Sequence, residues 1–323
     1  MTTANTEAHI LMPAYNAAQF IRSSLDSILK QTYAPVTAII YDDGSTDNTK
    51  EVVYSLTQSL PDSALNKIHL TTDAVNRGNA YARSRLLEIS ENLNPAASFM
   101  WLDADDLFVD ERSVETVMTQ MSKTKADICL YAFKIRWEND NQELRNNATG
   151  LLEEKQEHEK LLAEIAAQPE QAVSIFTCEN LMAATSMGCV KAYAAPMRSR
   201  WAHPVETLRY SDFTSMAMLL KAERVTAVTP NRPIADFLRR STSLTGERTP
   251  GHFLRDIPQQ LERLRFYVDM SDLPRARATN GFIARKLGQY MRLLQVLVEA
   301  ERPDFTKAVL DQYRALVAKM VPN

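Results

Sequence analysis

The chain opens with a rhythm of four short apolar runs, each stopped by polar or acidic residues and each followed by a helical pattern. His9–Met12 is the first run and is expected to end at Pro13. Residues Ala17 to Lys30 place Phe20, Ile21, Leu25, Ile28 and Leu29 on one helical face. Val36–Tyr41 is a second run, rich in apolar and β-branched residues, and it breaks into Asp42-Asp43-Gly44-Ser45-Thr46-Asp47 before a helix from Thr49. Ile68–Leu70 leads to Asn76-Arg77-Gly78-Asn79 and a helix from about Tyr81, and Phe99–Leu102 runs into Asp103-Ala104-Asp105-Asp106. Such a β-α-β-α-β-α-β series predicts an α/β fold with a Rossmann-like, mostly parallel central sheet and helices on both faces. The polar clusters then fall at the carboxyl ends of the strands, the edge where open α/β sheets bind ligands.

Further along the pattern loosens. Ser113–Ser122 reads as helix, Asp127–Trp137 as one strand, and Leu151–Ala167 as a charged amphipathic surface helix or mobile flap. Residues 181–200 carry few signals, Phe213–Ala222 reads as helix and Val225–Val228 as a short strand. From Gly251 the apolar positions recur at helical spacing, as in Ile257, Leu261, Leu264 and Val268. The expected organisation is a first half over 1–110, a second half over 111–250, and a C-terminal helical extension over 251–323.

Composition excludes several classes. At 323 residues and 45% hydrophobic content the chain can bury a substantial core without disulfides or metal staples. Its 37 basic and 40 acidic residues nearly cancel, which argues against a nucleic-acid partner. Cys129, Cys178 and Cys189 have no metal-binding or paired spacing, the first residues lack a basic-then-apolar leader, and no apolar run approaches the ~18 residues of a membrane span. The expectation is a cytoplasmic protein. Its eight glycines never form GxGxxG or GxSxG, and Gly246 and Gly251 have phosphate-loop spacing but are followed by His252 rather than Lys. The five histidines are scattered. If the chain handles phosphates, carboxylates with a metal are the route left open.

Asp103 and Asp105 flank one residue directly after an apolar strand, where they can present oxygens to one hard divalent ion, Mn2+ or Mg2+, completed by substrate phosphates. The plainer alternative is that Asp103–Asp106 caps the next helix, and that Asp42, Asp43 and Asp47 form a turn and an N-cap. Two acidic clusters at the ends of separate strands of one sheet favour a site.

The segments HILMPAYNAAQFIRSSLDSILKQTY, AIIYDDGSTDNT, NRGNAYARSRL and FMWLDADDLF, in this order and spacing, resemble an inverting family 2 glycosyltransferase of the GT-A fold. The likeness is strong over the first third and reaches more weakly to about residue 245. It implies a nucleotide-diphosphate sugar donor, UDP-linked, and a divalent metal. Pro13, Tyr15 and Asn16 would form the first nucleotide-side loop, and Asp43 would meet the base or ribose. Asn76, Gly78 and Arg83 would approach the nucleotide and sugar. Asp103 would lie by the ribose or sugar and join the metal site, Asp105 would be the direct metal ligand, and Asp106 a supporting neighbour.

An inverting transfer also needs a carboxylate to accept the acceptor hydroxyl's proton. The family supplies it from a Glu-Asp pair. Here the pair is Ser211-Asp212, so Asp212 matches the base and Ser211 departs from the pattern, with Glu206 in reserve. Read locally, Ser-Asp before an apolar run is an N-cap. Arg239, Arg240, Ser241 and Ser243 match the segment that approaches the diphosphate, and Trp201 and Tyr210 could stack on a sugar. The resemblance implies a glycan or glycolipid acceptor in bacterial surface polysaccharide or lipopolysaccharide assembly. Packing is the default for the C-terminal helices. A homo-oligomer interface or a peripheral contact with the inner face of the membrane, favoured by their arginines, are the other uses. The rival reading is a catalytically silent nucleotide-sugar binder or scaffold, motivated by Ser211.

Overall fold

The computed structural model describes residues 6–61, 67–140, 149–172, 191–200 and 222–240, together with seven helical positions between 306 and 318. Among these residues a seven-stranded sheet has the order β3-β2-β1-β4-β8-β6-β9, and a three-stranded sheet has the order β5-β10-β7. Strands β1 (Ala8–Ala14), β2 (Val36–Asp42), β3 (Ile68–Thr72) and β4 (Ser98–Trp101) run parallel. Beyond β4 lies β8 (Lys191–Tyr193), antiparallel to both β4 and β6 (Ile128–Leu130), and β9 (Val225–Ala227) closes the edge parallel to β6. The mostly parallel sheet expected from the alternation is present.

Strand residues alternate between two cores, as the pleat requires. Leu11, Ile39, Tyr41, Phe99, Trp101, Ile128 and Leu130 face one side, packed with Leu86 and Leu87 of α3 (Asn79–Leu93) and with Leu161, Leu162 and Ile165 of α5 (Thr149–Ala167). Ile10, Met12, Ala38, Ile40, Met100 and Leu102 face the other. There they meet α1 (Ile21–Leu29), α2 (Thr49–Gln58) and α4 (Ser113–Thr124) through Leu25, Ile28, Val53, Leu56, Val117 and Met118. Burial on both faces explains why the central strands read as continuous apolar runs rather than alternating ones. The helix over α5 is therefore neither a mobile flap nor a purely surface element. His158, Leu161, Leu162 and Ile165 are buried, and Lys160 and Glu164 are exposed.

Several boundaries differ from the sequence reading. Pro13 does not stop β1, which continues to Ala14 with Pro13 opposite Tyr41. The pairing of β1 with β4 ends at Leu11 and Trp101, so the missing Pro13 N–H leaves no ladder bond unmade on that side. Helix α1 starts at Ile21 rather than Ala17, because residues 17–20 form the turn that leads into it. The run 127–137 is two strands. Ile128–Leu130 joins the large sheet, and β7 (Phe133–Trp137) passes to the small one, where it lies parallel to β10 (Ala235–Arg239). Strands β5 (Leu107–Phe108), β8 and β10 went unread because each is too short to show a period. The Phe213–Ala222 helix and the C-terminal extension lie outside the described residues, apart from Ala222 and the seven positions noted. No helix among the described residues is long and apolar enough to cross a membrane.

At the amino ends of β1 and β4, His9 is buried and its Nδ1 pairs with Ser90 Oγ at 2.7 Å. Arg198 spans the same corner, donating to Ser90 Oγ and to the Pro95 and Ala97 carbonyls. Burial holds the His9 imidazole down at about 4 from an ordinary 6.5, with Glu7 opposing the shift. Burial also holds His158 at about 4. Each ring stays neutral in the fold while the unfolded chain takes up a proton, so their contribution to stability is full above about pH 6.5 and falls as the pH drops toward about 4. Chemical denaturation between pH 7 and 4 should show this decline, and His9→Gln should flatten it. A profile that stays level through that window contradicts the assignment.

Candidate active site

Because β1 to β4 are parallel, the loops after them meet at one edge of the sheet. Strands β2 and β4 flank β1, so two strand spacings, about 10 Å, separate the loops that carry Asp43 and Asp103. The acidic clusters therefore share one edge.

The cluster after β2 is divided among three tasks. Asp42 Oδ1 accepts from Ser45 N at 3.1 Å and closes the turn. Asp47 Oδ1 accepts from Thr49 N at 3.0 Å at the start of α2, and its Oδ2 accepts from Ala18 N at 3.1 Å. Asp42 is the turn that local sequence suggested, whereas the N-cap of α2 is Asn48, with Asp47 just before it. Asp43 is different. It is buried, and its two carboxylate oxygens accept from the backbone N–H groups of Arg77 at 3.0 Å and Gly78 at 2.7 Å. Burial pushes its carboxyl above the ordinary range, against the pull of those two N–H groups. Asp43 thus clamps the loop after β3, which carries Asn76 and Gly78, onto the loop after β2.

Gly44 makes that clamp sterically feasible. It has φ +72°, and a Cβ there would lie 2.7 Å from both Asn76 N and Val75 C. Gly78, at φ +95°, precedes α3 in a conformation that other residues rarely adopt. Asn16, also left-handed at φ 49°, joins the loops after β1 and β2. Its Oδ1 accepts from Thr46 N at 2.8 Å, and its own N–H donates to Ser45 Oγ at 2.8 Å. Beside it Tyr15 is 49% exposed. Pro13 lies within β1 itself, one residue before the end of the strand.

The loop after β4 is held from four directions. Asp103 accepts from Arg83 Nη2 at 2.7 Å. Arg83 is almost fully buried in α3, where it also donates from Nε to Asn79 and lies 4.6 Å over the Trp101 ring. Asp105 pairs with Arg240 Nη2 at 2.6 Å. The Ala104 carbonyl accepts from Ser24 Oγ of α1 at 2.8 Å, and the Asp105 carbonyl from Arg136 Nη2 of β7 at 3.1 Å. Asp106 does not cap a following helix. Its Oδ1 accepts from Leu238 N of β10 at 2.9 Å and ties the loop to the small sheet. Burial raises the Asp105 carboxyl, Asp103 raises it further, and Arg240 opposes both. Arg239 closes β10 opposite Trp137.

The structure thus brings Tyr15, Asn16, Asp43, Asn76, Gly78, Arg83, Asp103, Asp105 and Arg240 to one edge. Asp212, Ser243, and with them Trp201, Glu206, Tyr210, Ser211 and Ser241, lie outside the described residues. Sequence reasoning missed Ser24 and Arg136. Both act on backbone carbonyls far away in sequence, and neither sits in a recognisable motif. Arg136 is further joined to Asp236 of β10, Nε to Oδ1 at 3.6 Å.

Asp103 and Asp105 supply oxygen only, the chemistry a hard divalent ion prefers, and Mg2+ commonly takes one or two carboxylates plus substrate phosphates. Among the described residues no group of three or more His, Cys, Asp or Glu could hold an ion unaided. Two carboxylates are donors of the type such an ion takes.

The family is shown by comparison with known proteins. The glycosyl transferase family 2 model matches residues 9–184, just over half of the chain, and the chain belongs to that family. It is 34% identical over 114 residues to the Escherichia coli enzyme WfgD, a UDP-Glc:alpha-D-GlcNAc-diphosphoundecaprenol beta-1,3-glucosyltransferase, a match covering 35% of this chain and 40% of WfgD. It is 30% identical over 121 residues to glycosyltransferase GlyG of Streptococcus pneumoniae, covering 38% of this chain and 37% of GlyG. In both cases the matched region is well under two thirds of the relative's length. The crystal structure of Staphylococcus aureus TarS 1-349 superposes with a TM-score of 0.55 at 16% identity, over 96% of this chain and 91% of that one. Mannosyltransferase PcManGT from Pyrobaculum calidifontis superposes at 0.53 and 14% identity, over 99% and 88%. These likenesses show a shared fold, the GT-A architecture.

Gly44→Ala should lower stability by at least about 2 kcal/mol, from the left-handed backbone and the backbone clash together. Asp43→Asn leaves one backbone N–H of the clamp facing an amide donor and should cost about 1–3 kcal/mol. Urea denaturation measures both. An unchanged midpoint in either variant contradicts the clamp.

Proposed function

We propose that the chain is an inverting glycosyltransferase that moves a sugar from a nucleotide-diphosphate donor, UDP-linked, to a hydroxyl of a glycan or glycolipid acceptor. The observation that carries this reading is the convergence of Asp43, Asp103 and Asp105 with Arg83 and Arg240 at the carboxyl edge of one parallel sheet. Support also comes from the relatives. WfgD is named for a UDP-Glc donor and a diphosphoundecaprenol-linked acceptor, TarS has been solved with UDP-GlcNAc, and PcManGT with GDP-Man and Mn2+. Chondroitin synthase and hyaluronan synthase of Pasteurella multocida, each 31% identical over 122 residues, point the same way, toward polysaccharide assembly.

In this reading the loops after β1, β2 and β3 receive the nucleoside. Tyr15 is exposed, and Asp43 holds the Arg77 and Gly78 backbone, and with it the loop that carries Asn76. Asp105 and Asp103 would hold Mn2+ or Mg2+, which when bound stabilises negative charge on the departing diphosphate. Arg83 fixes Asp103, and Ser24 and Arg136 fix the backbone on either side of Asp105. Arg239, Arg240 and Ser243 are assigned to the diphosphate, since a guanidinium can bind phosphate oxygens bidentately. Asp212 is assigned as the base that accepts the acceptor hydroxyl's proton on the face opposite the leaving group, an assignment supported by sequence alone. The site is proposed to work at the cytoplasmic side, with the C-terminal helices available for membrane or oligomer contact.

Incubation with Mn2+ and a panel of nucleotide sugars should release nucleoside diphosphate, slowly without acceptor and faster with one. Asp212→Asn should cut transfer by about 10²–10⁴-fold while donor binding persists. Asp105→Ala should weaken metal-dependent donor binding. Donor binding with no turnover on a competent acceptor would instead identify the silent binder that Ser211 suggests, and full activity in Asp212→Asn would remove Asp212 as the base.

A further inference from the structure

The carboxylate assigned to the metal already has a cation of the protein's own. Arg240 Nη2 lies 2.6 Å from Asp105 Oδ2, and the guanidinium also lies 4.8 Å from the Phe20 ring centroid. The neighbouring pair, Arg83 with Asp103, is built differently. The Arg83 side chain is 4% exposed and is gripped by Asn79 and the Trp101 face as well, whereas that of Arg240 is 25% exposed and stands just past the end of β10. Arg83 is a fixed brace. The Arg240 side chain is the more exposed of the two.

We propose that Arg240 is an exchangeable counter-ion: it neutralises Asp105 until a nucleoside diphosphate arrives with its divalent ion, and then passes from the carboxylate to the diphosphate oxygens. This rests on the metal reading above and goes beyond it by assigning Arg240 two successive partners. A guanidinium and a divalent cation on the same half-buried carboxylate repel each other, and low local polarity strengthens that repulsion. The diphosphate removes the conflict, because it brings anionic oxygens whose spacing suits the guanidinium fork. Until then Arg240 meets part of the cost of keeping Asp103 and Asp105 charged side by side at the sheet edge. The consequence is coupling. Metal alone competes with Arg240 and binds weakly, and metal with nucleotide binds strongly. By linkage the nucleotide gains from the metal the same factor that the metal gains from the nucleotide.

The test is Mn2+ binding to the full chain, read by the electron paramagnetic resonance signal of free Mn2+, without nucleotide and then with UDP. Arg240→Gln should bind Mn2+ alone about tenfold tighter than the unaltered chain, because the competing charge is gone. The same variant should bind UDP in the presence of Mn2+ more weakly, so that the coupling shrinks. Arg240→Lys keeps the charge but not the fork. It should leave Mn2+-alone binding weak and still lose UDP affinity, which keeps the idea testable if the Gln variant does not fold, as its thermal melting would reveal. Mn2+-alone affinity unchanged in Arg240→Gln, or equally raised in Arg240→Lys, overturns the exchange. UDP affinity undiminished in Arg240→Lys also overturns it. An unaltered chain that takes up no Mn2+ with or without UDP sinks the metal reading itself, a result distinct from these.

Discussion

Like charges gathered at the end of a parallel sheet must be compensated, and that requirement organises the site. Asp103 and Asp105 sit two residues apart in a tight loop, and burial together with Asp103 raises the Asp105 carboxyl. The fold answers with one arginine from each of two distant elements, Arg83 from α3 and Arg240 from the end of β10. It also fastens the loop backbone to α1 through Ser24 and to β7 through Arg136. Two helices and two strands of the small sheet are thus committed to one four-residue loop. A displacement of any of them would reach the carboxylates directly.

The second cluster solves a different problem. Asp43 uses both oxygens on backbone N–H groups of the loop after β3, so its role in the folded chain is to join two loops. Only a glycine at position 44 lets those loops approach that closely. In the proposed reading, loops joined in this way before a nucleoside arrives would limit the ordering cost of binding. The edge therefore combines loops after β1 to β3 that are tied to one another through backbone bonds with a loop after β4 whose carboxylates are paired with arginines.

Much of this was legible beforehand for particular reasons. Strands β1, β2 and β4 are apolar runs buried on both faces, and β2 and β4 end in acidic residues that turn the chain. The resemblance pointed Arg83 toward the nucleotide and sugar, and only the packing of α3 shows it buried over the Trp101 face and paired with Asp103. Asp106 looked like a helix cap, yet it bonds Leu238 N, 132 residues away. Arg136 and Ser24 had no motif to betray them, because what they bind is backbone.

Sequence alone determined the alternating α/β layout, the edge at which the polar loops gather and the family, since these follow from short-range periodicity and from motifs kept in order. Tertiary structure alone decided which charges meet. The partners of Asp43, Asp103 and Asp105 come from segments 20 to 135 residues away, and no local pattern encodes a contact that exists only once the sheet has brought its strand ends together.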